Sequence, residues 1–558
     1  MSKTNVPTPG DVLNFADSAQ QAVVRRPLPP AERRDQRAEA HQQAGGVETA
    51  PFPLQVLRFI SRIDWVFVLL IFAAVTLLFT RLDDIYLWQD EAETAVLARN
   101  VLHYGYPRAF AGTHLPFAGI RAGHAWVFHS WLQFYLTAAS FLIFGMTTWA
   151  ARLPFVLFGV GSVFLTWVLA RYLFRDRQIS VIATFLLVTA VPFLLHVRQC
   201  RYYAPMVFFT LWSLLAYWQW LHGKPRAALK WLIGMLLLLH TNWMASIPLL
   251  VACAGHWFWN GGRARVSRAT FIRWAGLFVA LSLPWLIYAR VWEHGVRGFS
   301  LTDIRHNVEF YFKMINSYVL PLVTTAIVIG ILWLRRRVPS SPPTDRMALS
   351  LLGWTIGATL LTVAFGRQHF FRYIIALVPL LYLMVAWGLV RWCAIRPIVL
   401  IGVVALLTAT NLLHRPDRFF NGQPRSYLAD YVHELTHEAP DSTRGIVTFL
   451  NAHASPGETV KIRYSVAPLL FYTHLTVETD PDAFFEVTYP DWIVFQYKWI
   501  PESFYKSAYF ASILSQYDRF ITDIPDYLWG NPPDPYLHLF RTPTHLPGVQ
   551  IYRKRSHA

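Results

Sequence analysis

Two adjacent acids, Asp90 and Glu91, stand in the stretch Trp88-Gln-Asp-Glu-Ala-Glu93, shortly after the first long apolar run of the chain. A carboxylate that close to hydrocarbon is costly and marks a partner, a cavity or chemistry. Two further segments beside apolar runs are rich in arginine. Val197-Arg-Gln-Cys-Arg-Tyr-Tyr203 carries Arg198 and Arg201, and Arg367-Gln-His-Phe-Phe-Arg372 carries Arg367 and Arg372. A carboxylate can take the proton of a hydroxyl. A guanidinium matches phosphate oxygens in bidentate fashion and stabilises charge building on a departing phosphate. Such acids and cations together could transfer a group from a lipid-linked phosphate to an alcohol, provided that the fold brings them to one side of a membrane.

The composition supplies the membrane. Of 558 residues, 54% are hydrophobic and only 15% charged, with 23 Trp and 40 Phe. Repeated apolar runs of about 17–22 residues fit a polytopic helical membrane protein. The net charge of +17 falls in short clusters between these runs, as in cytoplasmic loops, and gives no support to nucleic-acid binding. Cys200, Cys253 and Cys393 lie in or beside apolar segments, so no disulfide framework is indicated in the polar C-terminal part.

Twelve apolar runs can be marked: 64–80, 126–144, 152–172, 179–196, 204–221, 229–241, 243–259, 271–291, 318–334, 347–366, 371–390 and 396–413. The second decides the topology. If it crosses, the clusters around Arg171–Arg177, Lys224–Lys230, Arg263–Arg273 and Arg335–Arg337 all move to the outside, against the positive-inside rule. Run 126–144 also holds His129, Gln133 and several Ser and Thr. It is therefore expected to lie on the outer leaflet as an interfacial helix. That leaves about eleven transmembrane helices, with the N-terminus inside and the C-terminus outside.

Residues 1–60 read as a disordered cytoplasmic tail, and 61–413 as the transmembrane domain. Within it, 81–151 is a long first outer loop, of a length that is usually functional. Residues 414–558 read as a periplasmic α/β domain. Short β-rich runs (Val460–Val466, Trp492–Tyr497, Phe520–Ile524, Val549–Arg553) alternate there with helical stretches near 427–437, 443–453 and 502–516. No Walker or dinucleotide glycine motif is present, which disfavours ATP-driven transport.

With this topology the acids and arginines share the outer rim. Glycosyl transfer from a lipid-linked sugar phosphate needs both, and a polyprenyl-phosphate donor suits a compartment without nucleotide sugars. At this point the chain resembles the GT-C glycosyltransferases. The closest matches are the protein O-mannosyltransferases and the bacterial transferases that place aminoarabinose or galacturonic acid on lipid A and its core. The matching pieces are Trp88-Gln-Asp-Glu-Ala-Glu-Thr-Ala, Asn100-Val-Leu-His-Tyr-Gly-Tyr-Pro107, Ala151-Arg-Leu-Pro154, Arg201-Tyr-Tyr-Ala-Pro205 and Arg372-Tyr-Ile-Ile-Ala-Leu-Val-Pro379. They cover roughly residues 64–413.

The resemblance implies an inverting, GT-C-type enzyme of the bacterial inner membrane, with Asp90 as the base, Glu91 as its companion and Arg152 at the start of the second span. The donor implied is a polyprenyl-phosphate sugar and the acceptor a periplasmic lipid, glycan or protein, such as lipid A. No cofactor is assigned, and a divalent metal is left open. Arg201, Arg372, Arg152, Arg198 and Arg367 are candidates for the substrate phosphate. Tyr202, Tyr203, His124 and His369 are candidates for donor or acceptor contacts. Two departures leave donor and acceptor identity open. Gly123-His-Ala-Trp126 stands where lipid A transferases have a Glu-Lys-Pro-Pro-like segment, and Arg198 and Arg201 stand where they carry an acid.

Simpler readings compete. Asp90 and Glu93 fit a capping box for a helix running to Gly105. Glu91 can tune Asp90, bind a metal with it, or complement the helix dipole. Arg198 and Arg201 can snorkel to lipid headgroups, and the histidines lack metal-site spacing. Rival functions are an oligosaccharide or O-antigen ligase and, in a different class, a lipid or solute transporter.

Overall fold

The computed structural model describes residues 64–109, 120–121, 124–260, 266–293, 300–334, 342–366, 368–391, 397–415, 424–438, 441–478, 489–496, 500–526, 532–541 and 545–555. The expected tail 1–60 and Arg367 lie outside them. Residues Trp65–Ala558 form one compact unit.

The unit is mostly helical, and its helices follow the apolar runs closely. Among the described residues, four helices are long and apolar enough to cross a membrane: Thr148–Phe174, Arg268–Ala289, Pro343–Ala364 and Phe371–Arg391. Two bent pairs bring the number to six if each is one span. Arg177–Val188 with Val191–Val197 bends by 64°, and Leu301–Tyr318 with Leu322–Ile331 by 86°. Shorter apolar helices cover Trp65–Phe79, Leu132–Phe144, Ala227–Thr241 and Pro397–Ala409. Leu132–Phe144, the run whose role decides the topology, has 13 residues. At 1.5 Å per residue it spans about 20 Å, short of the ~30 Å hydrocarbon core.

Local chemistry explains the ends of the long helices. Thr147 caps Thr148–Phe174 through its side chain, which accepts from Ala150 N, and Arg175 closes the helix in a left-handed turn. Gly159 lets this helix approach its neighbours closely, since a Cβ there would stand 2.9 Å from Val197 Cγ2 and 3.3 Å from Leu78 Cδ1. Helix Phe371–Arg391 joins two charged clusters. At one end Arg372 meets Asp90. At the other Arg391 meets Asp176 at 3.2 Å and Asp345 at 3.5 Å, and the Trp387 indole donates to Asp345. Twenty-one residues of helix separate the two clusters by roughly the thickness of a bilayer core.

The C-terminal part holds a five-stranded sheet in the spatial order Thr476–Glu478, Thr459–Ile462, Trp492–Phe495, Gly548–Lys554, Tyr517–Pro525. The first three strands are parallel and the last two pair antiparallel. Helices Tyr427–Thr436 and Ser442–His453 stand where the sequence places them. The expected strand Val460–Val466 is shorter. Ser465 takes a left-handed φ of 71°, and helix Val466–Tyr472 follows. This helix docks on the segment that follows the first apolar helix. Its Ala467 N donates to Gln89 Oε1 at 3.1 Å, and its Tyr472 hydroxyl accepts from Leu87 N while bonding Thr148 Oγ1.

Candidate active site

The site is built on helix Gln89–Tyr104, which opens after extended Trp88 and ends at Gly105 with φ 79°. The expected capping box does not form. The N-cap is Trp88, two positions before the Asp90 that the pattern requires, and its side chain makes no capping hydrogen bond. Asp90 and Glu91 of the first turn, and Glu93 just beyond it, are thereby free for other partners. At about 100° per residue they point in different directions: Asp90 and Glu93 share a face, and Glu91 points elsewhere.

Glu91 is fully buried and joined to Arg152 by a two-pronged ion pair. Arg152 Nε donates to Oε1 at 2.8 Å and Nη2 to Oε2 at 2.6 Å, while Cys200 N also donates to Oε1 at 2.7 Å. Arg152 spends its remaining donors on the carbonyls of Leu82, Ile85 and Tyr86. Glu91 and Arg152 thus pin the end of the first helix to the acidic helix and to the Cys200 loop.

Asp90 faces the cations. Its Oδ2 accepts from Arg372 Nη1 at 2.6 Å and lies 3.6 Å from Arg201 Nη2. Arg201 is buried between both acids: its Nη1 donates to Glu93 Oε1 at 3.0 Å and to Thr94 Oγ1 at 3.1 Å. Its Nε is a buried donor with no partner among the described residues. His129 closes the cluster, with Nε2 3.4 Å from Arg201 Nη2 and Nδ1 3.7 Å from Glu93. Burial pushes the Glu93 carboxyl up to about 7, against the pull of Arg201 and with help from the Asp90 charge.

Arg372 is held by its neighbours on several sides. Its Nη1 reaches the Tyr203 hydroxyl at 3.3 Å, and its guanidinium carbon lies 4.1 Å from the Phe370 ring centre. The turn that carries it is fastened from the C-terminal part, where buried Asp534 accepts from Phe371 N at 3.0 Å. Burial raises the Asp534 carboxyl above its ordinary range, opposed by Arg372. The loop bearing Asp534 is itself held by His538, which bonds Glu434 at 2.8 Å and Pro532 O at 2.9 Å. Tyr464, also from the C-terminal part, lies within electrostatic range of Asp90 and Arg372.

The structure therefore brings together Asp90, Arg201, Arg372 and Tyr203 from the residues singled out in the sequence. Tyr202 stands beside them, its ring centre 5.8 Å from that of His129. Arg198 is placed elsewhere: it donates to the Tyr431 hydroxyl and to the carbonyls of Thr80 and Arg81. Arg198 and Arg152 both spend donors on protein acceptors. His124 turns a small ribbon, its carbonyl accepting from Ala109 N, and His369 packs 4.8 Å from Phe310. Glu93, His129, Asp534 and Tyr464 were not nominated for the site. Glu93 carried a signal, its i+3 spacing from Asp90. Asp534 carried none. Among the described residues no group of three His, Cys, Asp or Glu is placed to hold a metal ion.

Beside the cluster opens a chamber of about 980 Å³, its mouth included, with His129, Tyr202, Asn242, Trp243, Gln368 and Tyr373 in its wall. It shares Asn242, Met244, Val363 and Tyr373 with a second, much narrower cavity. That second cavity is walled chiefly by apolar side chains of the helix bundle, among them Met206, Leu249 and Leu377.

No family model and no curated protein matches the chain. Solved structures do. ArnT from Cupriavidus metallidurans bound to undecaprenyl phosphate is similar with a TM-score of 0.55 at 14% identity, over 88% of this chain and 98% of that one. Its apo state gives 0.54 at 14% identity, over 88% and 97%. The Archaeoglobus fulgidus oligosaccharyltransferase in the apo form is more distant, at 0.44 and 14% identity, over 75% and 64%. The two ArnT structures establish the fold as the kind that the GT-C resemblance implied.

Proposed function

We propose that this chain is a membrane glycosyltransferase that moves a sugar from a polyprenyl phosphate to a hydroxyl on the outer face of a bacterial inner membrane. The observation that carries the reading is the Asp90 carboxylate held by Arg372 at 2.6 Å, with Arg201 3.6 Å away. It lies beside a chamber that adjoins an apolar cavity of the helix bundle. The fold shared with ArnT bound to undecaprenyl phosphate supports the same donor class here.

In this mechanism Asp90 takes the proton of the acceptor hydroxyl as its oxygen attacks C1 of the sugar from the face opposite the phosphate. The bond from C1 to the phosphate oxygen breaks, C1 inverts, and the electron pair leaves with the phosphate. Arg372 and Arg201 receive the added negative charge. The unpartnered Arg201 Nε offers one donor that need not first leave a protein acceptor. Glu91 and Arg152 act as a positioning pair.

The topology that goes with this reading has about eleven spans, a cytoplasmic N-terminus and a periplasmic domain from 414 to 558. It agrees with the two charged clusters lying at opposite ends of Phe371–Arg391. The acceptor is a periplasmic lipid, glycan or protein. The test compares glycolipids and glycoproteins by mass spectrometry in cells carrying wild type, Asp90→Asn or no gene. A hexose, pentose or uronic acid mass should vanish in both altered strains, with the variant's transfer rate lowered at least ~100-fold. Full transfer by Asp90→Asn would remove Asp90 as the base.

A further inference from the structure

The chamber beside His129 is lined in a way that bears on the sugar itself. Tyr202, Trp243 and Tyr373 contribute aromatic surface, and Asn242 and Gln368 contribute amides. Asn242 Oδ1 accepts from Met244 N at 2.9 Å, which fixes the amide and leaves its NH₂ without a protein partner among the described residues. The Gln368 amide likewise has none. An amide supplies both donors and an acceptor, the complement of neighbouring hydroxyls on a sugar ring. Aromatic faces cover the ring's C–H surface, and a mostly apolar wall with a few placed polar groups is the usual form of a small-molecule site.

Charge is the missing component. Among the described lining residues there is no Asp, Glu, Lys or Arg, and His129 is the one titratable side chain besides the tyrosines. The nearest charges behind His129, Glu93 and Arg201, are paired with each other at 3.0 Å. An amino sugar or a uronic acid placed here would lose water around its charge and find no counter-ion among the described lining residues. The chamber adjoins the apolar cavity across Asn242, Met244, Val363 and Tyr373, which suits the head of a lipid better than a soluble molecule.

Resting on the transferase reading above, we infer that the chamber receives the sugar of the polyprenyl donor and that this sugar is an uncharged hexose or pentose, bound by Asn242 and Gln368 against Trp243 and Tyr202. Selectivity is then set by the cost of burying a charge, and the phosphate arginines are indifferent to it.

The full-length protein in nanodiscs should be titrated with undecaprenyl phosphate alone and with undecaprenyl-phosphate glucose, arabinose, 4-amino-4-deoxyarabinose and galacturonic acid. Binding is read by native mass spectrometry. A neutral donor should bind at least tenfold tighter than both charged ones. Asn242→Ala and Gln368→Ala should lower affinity for that donor more than for undecaprenyl phosphate alone. Equal or tighter binding of the amino sugar donor overturns the inference. So does equal or tighter binding of the galacturonic acid donor, and its loss in Arg367→Ala would trace that binding to Arg367, which stands in sequence between the lining residues Gly366 and Gln368. Undecaprenyl phosphate that binds while no sugar donor gains over it overturns the inference alone. Failure of every polyprenyl phosphate to bind removes the transferase reading as well.

Discussion

Replacing Glu91 should damage the fold before it damages the chemistry. Glu91 is fully buried and Arg152 is 7% exposed, so each charge relies on the other. Two hydrogen bonds of 2.8 and 2.6 Å join them, and Cys200 N adds a third to the same carboxylate. Glu91→Met leaves a guanidinium buried against carbonyls alone, a loss of about 3–5 kcal/mol. Arg152→Met strands the carboxylate and also orphans the carbonyls of Leu82 and Ile85, so it should cost at least as much. The double variant buries neither charge, and the two losses should fall short of adding by about 2 kcal/mol or more. Thermal unfolding of the purified protein in one detergent reads this as lower Tm in each single variant and partial recovery in the double. Glu91→Met at wild-type Tm but without transfer activity would refute the reasoning and make Glu91 a working group of the site.

Two further outcomes follow from the same cluster. Glu93 is about 5% exposed, and its carboxyl is raised from 4.5 to about 7, so the native state holds a proton there that the unfolded chain has released. The stabilisation is full below about 4.5 and lost as pH rises through 7, on the order of 3 kcal/mol. Unfolding measured from pH 4.5 to 8 should show this decline in wild type and much less of it in Glu93→Gln; parallel profiles would sink the assignment. Arg201→Lys keeps the charge but removes the fork and the free Nε. Undecaprenyl phosphate should then bind at least tenfold more weakly, and unchanged affinity would take Arg201 out of the phosphate site.

Reading order along the chain accounts for why some of these groups could be named in advance. The apolar runs foretold the helices because membrane segments must bury a long continuous stretch, a one-dimensional property. Asp90, Arg201 and Arg372 stood out because charge beside such a run needs a reason. The same rule nominated Arg152 and Arg198, which the structure pairs with Glu91 and with Tyr431 and not with Asp90. From the sequence these four arginines are alike; only their neighbours in space divide the phosphate candidates from the clamps.

Glu93 passed for half of a capping box because that pattern is local and common. Whether it caps or pairs with Arg201 depends on where the helix starts, and the helix starts at Gln89. Asp534 lies 163 positions from the Phe371 amide it receives, a contact that no spacing rule could reach. Membrane class, helix positions and the site's main charges were thus legible in the chain, since each follows from the solvent a short segment must tolerate. The partner of each charge, the chamber and the fastening of Arg372 were decided by tertiary structure. Those depend on which distant segments exclude water from one another, and that is a property of the folded volume alone.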